Sequence, residues 1–371
     1  MSTVRLGIIG VGTIGSFHIS NIKQLSNCKL TAICDIDPAA LERQKENAGD
    51  AAHFNTSEAL LDSGLVDGVI IATPHYFHVP IAMEAIKRGI HVLVEKPIAV
   101  QKSQAEEFVK LCKENPKIVA SAMFCLRRMP ANMKLKQLID SGELGTIRRI
   151  NWIITNWFRT QKYYNSGTWR ATWSGEGGGV LLNQCPHQLD LMQWFFGMPE
   201  KITASVFFGK YHDIEVEDEV SAIFEYADGK TAMFVTSTGE APGTNRLEIA
   251  AERGKVILEN DTLYFYRNET EMSQFCKTSD SLVGMPTVWD IKVPIATIDH
   301  ATHRDIIENF ADAISNGTPL YAPAVEGINS LELANAMLMS GTLKQSVTLP
   351  IDSGKFDDIL NNFIQNSTRK G

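Results

Sequence analysis

Cysteine pairs, cationic clusters and long apolar runs are all missing from this chain. Its six cysteines, at 28, 34, 112, 125, 185 and 276, form no CxxC pair and no disulfide-like framework, so reduced thiols are expected. Lys and Arg number 35 against 43 Asp and Glu, a net charge of −8. That balance argues against nucleic acid or an anionic membrane surface as a partner. No apolar run approaches the ~18 residues needed to span a bilayer. The opening MSTVRLGIIG also lacks the basic stretch, apolar run and small-residue cleavage site of a secretory signal. A cytoplasmic enzyme is the expectation. What is present is 44% apolar and 21% charged residues over 371 positions, a globular composition with material for two domains.

Residues 4–9 are a β-branched run closed by Gly10-Val11-Gly12-Thr13-Ile14-Gly15, and residues 13–25 read as a helix. Residues 29–34 form a second strand, closed by Asp35, 20 residues after Gly15. A GxGxxG alone is weak, but strand, glycines, helix, strand and acid in this order are a dinucleotide fingerprint. Gly10 permits the tight turn, Gly12 lets the backbone approach a pyrophosphate, and Gly15 lets helix and strand pack closely. The helix start at Thr13 and Ile14 offers N–H groups and a positive dipole end to phosphates. Asp35 can accept from both ribose hydroxyls and repels a 2′-phosphate, while Ile36 and Asp37 supply no cation, so NAD is favoured over NADP. The alternation continues with a strand at 69–72, Thr73-Pro74-His75 at its C-terminal end, a helix at 79–88, and a strand at 91–94 ending on Glu95-Lys96-Pro97. His75 and His78 have a metal-compatible spacing but no Cys or carboxylate close by in sequence. Loop hydrogen bonding is their plainer role, and no metal site is expected.

The segment GGGVLLNQCPHQLD, residues 177–190, sets Asn183, His187 and Asp190 at i, i+4 and i+7 within an apolar run. Continuous helix would align them on one side, where a polar row needs a partner. Pro186 suits a first turn, so the helix can begin only there, and Asn183 then reads equally as a cap or a ligand contact. Asp190 either steadies the His187 ring or bonds substrate, Cys185 reads as a packed residue, and the glycines would bring backbone close to the cleft. Upstream, residues 156–173 are dense in Trp, Tyr and Arg. Such a loop suits a sugar, whose C–H faces stack on aromatic rings and whose hydroxyls take Arg and Tyr donors. Arg159, Tyr164, Trp169 and Arg170 are its candidate substrate contacts, with a core or oligomer patch as the other reading.

Taken together, the N-terminal GxGxxG, Thr73 to His78, Glu95-Lys96-Pro97, Arg127-Arg128-Met129-Pro130, the glycine-rich segment, 309–314 and 316–320 resemble the Gfo/Idh/MocA family of NAD(P)-dependent oxidoreductases over nearly the whole chain. The resemblance implies an α/β protein with a Rossmann domain over 1–125. A second α/β domain over 126–371 would carry a large, mostly antiparallel open sheet. Strands at 148–158, 201–208, 220–226, 231–237, 245–251, 255–258 and 263–266 agree with it. Helices at 302–316 and 325–345 would pack back near the domain junction, and the open sheet face would join a homodimer or homotetramer. The resemblance also implies cofactor contacts from the glycine turn, Asp35, Thr73, Pro74, His78, Glu95 and Lys96. Lys96 and His187 would be the catalytic pair, with Asn183 beside them.

Hydride transfer between a secondary hydroxyl and NAD needs a proton acceptor, a donor to steady the alkoxide, and a rigid platform. The implied substrate is a sugar, a glycoside (C3 of a glucoside included) or an inositol. Many relatives place Asp where Asn183 stands. An Asn orients without neutralising, so Lys96 is expected to feel less negative field, and the base stays open between Lys96 and His187. His300 and His303 are remoter candidates for the cleft. Two alternatives stand beside the dehydrogenase: a glycosidase-type enzyme using tightly held NAD for transient oxidation, and a non-catalytic NAD- or sugar-sensing protein.

Overall fold

The computed structural model describes residues 3–296 and 302–367; His300 lies outside them. Strands β1 (Val4–Ile9), β2 (Cys28–Cys34), β3 (Ala52–Phe54), β4 (Gly68–Ile71), β5 (His91–Val94) and β6 (Ala120–Ala122) form one parallel sheet in the order β3-β2-β1-β4-β5-β6. The order reverses between β1 and β4. Their C-terminal ends, which carry Gly10 and Ala72-Thr73, flank the crevice where such sheets bind ligands. All four residues of β4 are buried, as expected of a strand covered on both faces.

The second sheet comprises β7 (Ile147–Ile154), β8 (Lys201–Phe208), β9 (Glu217–Glu225), β10 (Thr231–Ser237), β11 (Asn245–Ala251), β12 (Gly254–Glu259), β13 (Thr262–Asn268), β14 (Val288–Lys292) and β15 (Val347–Thr348). Their order is β14-β13-β12-β11-β7-β10-β9-β8-β15, and every pair is antiparallel except β7 with β10. Period-two alternation separates its faces. Val220, Ala222 and Phe224 of β9 are buried, whereas Ile223 between them is 47% exposed. The helix Gly327–Leu343 packs on the buried face so closely that a Cβ on Gly341 would come within 2.4 Å of Val206.

The helix Thr302–Asn316 returns to the first sheet, where Phe310 packs on Gly68 and Asn27 donates to the Glu308 carbonyl and to Asp312, both at 2.9 Å. Between the domains Lys102 is buried, donating to Glu332 at 2.9 Å and to the Ile351 carbonyl at 3.0 Å.

Several expected bounds shift. The strand expected over 148–158 ends at Ile154, because the chain then leaves the sheet and the Arg159 N–H bonds the Thr238 carbonyl at 3.0 Å. The first helix stops at Ile22, and the last long helix follows a 3₁₀ turn, Ala324–Glu326. Strands β3, β6, β14 and β15 carry two to five residues each, too few to display a period.

Candidate active site

The three glycines of the turn meet three different surroundings. Gly10 has φ +90°, and a Cβ there would lie 2.7 Å from the Ala72 carbonyl oxygen. A Cβ on Gly15 would sit 2.0 Å from the Gly10 oxygen, whereas one on Gly12 meets nothing within 4 Å. The bare backbone at Gly12 therefore faces open space beside the helix start at Thr13, a cradle shaped for a pyrophosphate. Asp35 holds the turn from the other side, accepting the Val11 and Asp37 N–H groups at 2.9 Å each. Thr73 Oγ1 is buried with no partner among the described residues. An open cradle, an acid at the strand end and an orphaned hydroxyl fit a dinucleotide.

His78 and Glu95, both cofactor candidates, are buried struts. His78 places Nδ1 2.7 Å from the Pro97 carbonyl and Nε2 2.8 Å from the Thr73 carbonyl, so it ties the Thr73-Pro74 loop to the turn carrying Lys96. Glu95 meets His18 Nε2 at 2.7 Å and the Lys96 N–H at 3.1 Å. Burial alone would raise its proton affinity, but the His18 bond and the neighbouring positive groups hold it down to about 2.

Where the strand ends of the first domain meet residues 156–187, the two domains are stitched by named bonds. Tyr76 donates to the Trp173 carbonyl at 2.7 Å, and His75 Nδ1 lies 3.0 Å from the Glu176 carbonyl. Lys96 Nζ donates to the Asn183 backbone carbonyl at 2.9 Å. The helix begins at Pro186, which leaves Asn183 in the preceding turn. His187 lies on the first helical turn, mostly buried. Its Nδ1 has no partner among the described residues, and its Nε2 points to the buried Cys125 at 4.0 Å. Burial, then the Lys96 charge, push His187 down to about 3, so it is a neutral imidazole. His303 backs this cluster, with Nε2 3.5 Å from Cys125.

Asp190 neither steadies His187 nor faces substrate. It forms a buried two-point pair with Arg127 (2.6 and 2.8 Å) and accepts from Gln193 at 3.0 Å. Although residues three apart on a helix lie near one face, both Asp190 oxygens are taken up by Arg127, so none is left for the His187 ring. The glycines serve different approaches: a Cβ on Gly179 would lie 2.0 Å from the Glu217 carbonyl oxygen of β9, whereas one on Gly177 would meet Val100 at 2.3 Å and the Tyr76 hydroxyl at 3.1 Å on the first-domain side.

The aromatic loop divides in a way the composition does not reveal. Tyr164 is buried, donating to Thr238 at 2.9 Å and edge-on to His212. Its neighbour Tyr163 instead takes the Arg170 guanidinium N–H at 3.0 Å and places its hydroxyl 3.4 Å from Asn183 Oδ1. Arg159 and Arg170 both lie over the Tyr163 ring, at 5.0 and 4.9 Å from its centroid, and Arg170 also covers Trp169. Trp169 meets His75 edge to face. The sequence signals for Tyr163 and Glu176 were their neighbours alone; neither carries a motif of its own. Among the described residues no group of three or more His, Cys, Asp and Glu is arranged to hold a metal, and no helix is long and apolar enough to cross a membrane.

Two family profiles match this chain. The oxidoreductase family with an NAD-binding Rossmann fold covers residues 4–123, and the GFO/IDH/MocA C-terminal domain covers 132–257. The inositol 2-dehydrogenase of Rhizobium meliloti is 25% identical over 352 residues, 94% of this chain and 99% of its own. The WlbA dehydrogenase from Bordetella pertussis, solved in complex with NADH and UDP-GlcNAcA, is similar with a TM-score of 0.79 at 25% identity, over 95% of this chain and all (100%) of that one. Levoglucosan dehydrogenase, solved with NADH and levoglucosan, shares the fold with a TM-score of 0.80 at 19% identity, over 94% and 100% of the two chains. The chain belongs to the Gfo/Idh/MocA family of oxidoreductases, with an NAD-binding Rossmann fold in its N-terminal part.

Proposed function

We propose that this protein is an NAD-dependent dehydrogenase acting on a secondary hydroxyl of a sugar, glycoside or inositol. The observation that carries the reading is the meeting of Lys96, the Asn183 turn and His187 at the mouth of the dinucleotide crevice. NAD, when bound, supplies the carbon centre that accepts or returns the hydride. Its phosphates would lie on the Gly12 cradle and its adenosine ribose against Asp35.

Lys96 takes the hydroxyl proton in the oxidative direction and returns it in the reductive one. His187 is held neutral, so it is a poor store for that proton and a good fixed hydrogen-bond partner. Its unpartnered Nδ1 is costly to leave buried, and a substrate oxygen would satisfy it. Tyr163, Trp169, Arg159 and Arg170 provide ring faces and donors for a polyol, in keeping with the cyclitol and sugar ligands named for the relatives. Residues 1–125 serve the cofactor and 126–371 the substrate.

The test follows NADH absorbance across inositols, free sugars and glycosides. At least one member should reduce NAD, and Lys96→Ala should lower kcat by about 10²–10⁴-fold while NADH binding persists. Silence across the panel, or a Lys96→Ala variant as active as the parent, would refute the reading.

We also propose a homodimer or homotetramer joined through the second sheet. Its outward face carries Phe207, Ile223, Met233 and Ile153, each more than 40% exposed. Register places them on one side: Met233 pairs with Ile223, and Ile153 with Val235 two residues further along β10. A contiguous apolar patch of this kind marks an interaction surface.

A further inference from the structure

Glu176 stands seven residues before Asn183 and is buried between the domains. Its Oε2 accepts the Ala171 N–H at 2.7 Å, and its Oε1 accepts from Asn183 Nδ2. The Asn183 amide is oriented by what surrounds it. Nδ2 meets the carboxylate, while Oδ1 faces Gln184 Nε2 at 3.2 Å and the Tyr163 hydroxyl at 3.4 Å. The backbone carbonyl of the same residue accepts from Lys96 Nζ at 2.9 Å. A buried acid, an amide and the Lys96 ammonium thus form one connected chain through a single residue.

We propose that Glu176, acting through Asn183, is the positioning residue that supplies the negative charge governing when Lys96 gives up its proton. The proposal rests on Lys96 being the proton-handling group. The acid withheld at position 183 is provided from outside the helix, by a loop: Asn183 meets the carboxylate with its side-chain amide and Lys96 with its backbone carbonyl. Both Glu176 oxygens accept N–H donors, the pattern of an ionised carboxylate. Burial outweighs the opposing Ala171 and Asn183 donors and the Arg170 and Lys96 charges, so its proton affinity stands above the ordinary carboxylate value, and it is the two accepted N–H bonds that mark it as the charged partner.

The other charged or titratable groups around the pair do not substitute for it. Glu95 is committed to His18. His75 and His187 are pushed down to about 3, and burial lowers His78 and His303 as well. His75 and His187 are therefore neutral wherever an amine is titrated. Glu217, pushed up to about 7 by burial, Arg170 and Tyr164 also face Glu176 and stay unaltered in every variant below.

The experiment reads the Lys96 proton without any substrate, so it stands apart from the activity assay. The ligand-free protein is pulsed with acetic anhydride across a pH series, and acylation of the Lys96 peptide is quantified by mass spectrometry, with the remaining lysines as reference. Glu176→Gln can keep the Ala171 bond with its carbonyl and meet a flipped Asn183 amide with its NH₂, provided the Gln184 amide, whose Oε1 is unpartnered among the described residues, flips with it; charge is then the main change. Its half-labelling pH is expected about one unit below wild type. The double variant Glu176→Gln, Asn183→Asp moves the carboxylate to the other end of the same hydrogen bond and is expected to return the profile to the wild-type position. Should Glu176→Gln not fold, Glu176→Asp, which withdraws the charge by one methylene, is expected to shift the profile the same way by less. A Gln profile that overlays wild type, a double variant that does not return, or no movement in the Asp variant would overturn the proposal. A merely structural role for Glu176, holding Ala171 at φ 53°, predicts those overlays. A protein silent across the polyol panel that still shows the labelling shift would refute the dehydrogenase reading and leave this one standing.

Discussion

At Glu217 a buried carboxyl takes the Gly179 and Leu181 N–H groups on one oxygen, at 2.8 and 3.0 Å, and leaves the other without a partner among the described residues. Burial pushes it up to about 7, above the ordinary 4.5. A raised acid favours the fold fully below its unfolded value and loses that contribution as pH rises through the folded one. Glu217 should therefore cost stability between about pH 4.5 and 7, in the direction opposite to Glu95. Glu217→Gln is expected to flatten the fall in urea midpoint between pH 5 and 8, by about 1–3 kcal/mol at the alkaline end. Equal slopes for variant and parent would show that Glu217 is not the group titrating. Since Glu217 pins the backbone leading to Asn183 and His187, this same residue joins stability to site geometry.

Glycine marks two elements for opposite reasons, and a pair of substitutions separates them. Gly12 begins the first helix with its missing side chain aimed at open space, whereas Gly179 abuts the Glu217 carbonyl. Gly12→Ala should leave the thermal midpoint within about 2 °C of the parent and weaken NADH at least about tenfold, seen by fluorescence titration, because the new methyl stands where phosphate would approach. Gly179→Ala should instead cost about 3 kcal/mol, since its nearest neighbour there is rigid backbone at 2.0 Å, with the Val216 side chain at 2.9 Å behind it. If the two variants behaved alike in both assays, the division of labour would be wrong. The helix at Pro186–Phe196 shows the same dependence on local punctuation. Pro186 sets its start, which puts His187 on the first turn, faces Asp190 toward Arg127, and leaves Asn183 free to carry both Glu176 and Lys96.

For the whole molecule, the outward sheet face predicts its own test. Placing Lys at both Ile223 and Met233, directly opposed across β9 and β10, is expected to break the proposed sheet-to-sheet assembly, seen as a lower mass in light scattering while NADH still binds; an unchanged mass would refute that interface. Much of the architecture was legible in the sequence. The glycine fingerprint, Asp35 and Lys96 follow one another along strands whose apolar runs announce a covered sheet, and alternation marked most of the second sheet's long strands. What could not be read was any partnership between residues distant along the chain. Tyr163 and Tyr164 are adjacent and chemically identical, yet only the path of residues 156–164 across the sheet end sends one to Thr238 and the other to Asn183. Glu176 looked like a charge in a glycine-rich loop until folding buried it against Asn183. Local chemistry, meaning turns, periods and a proline start, determined the elements and the cofactor crevice by itself. Tertiary packing alone decided which carboxylate reaches Asn183, because burial and proximity are properties of the folded chain and are encoded at no single position.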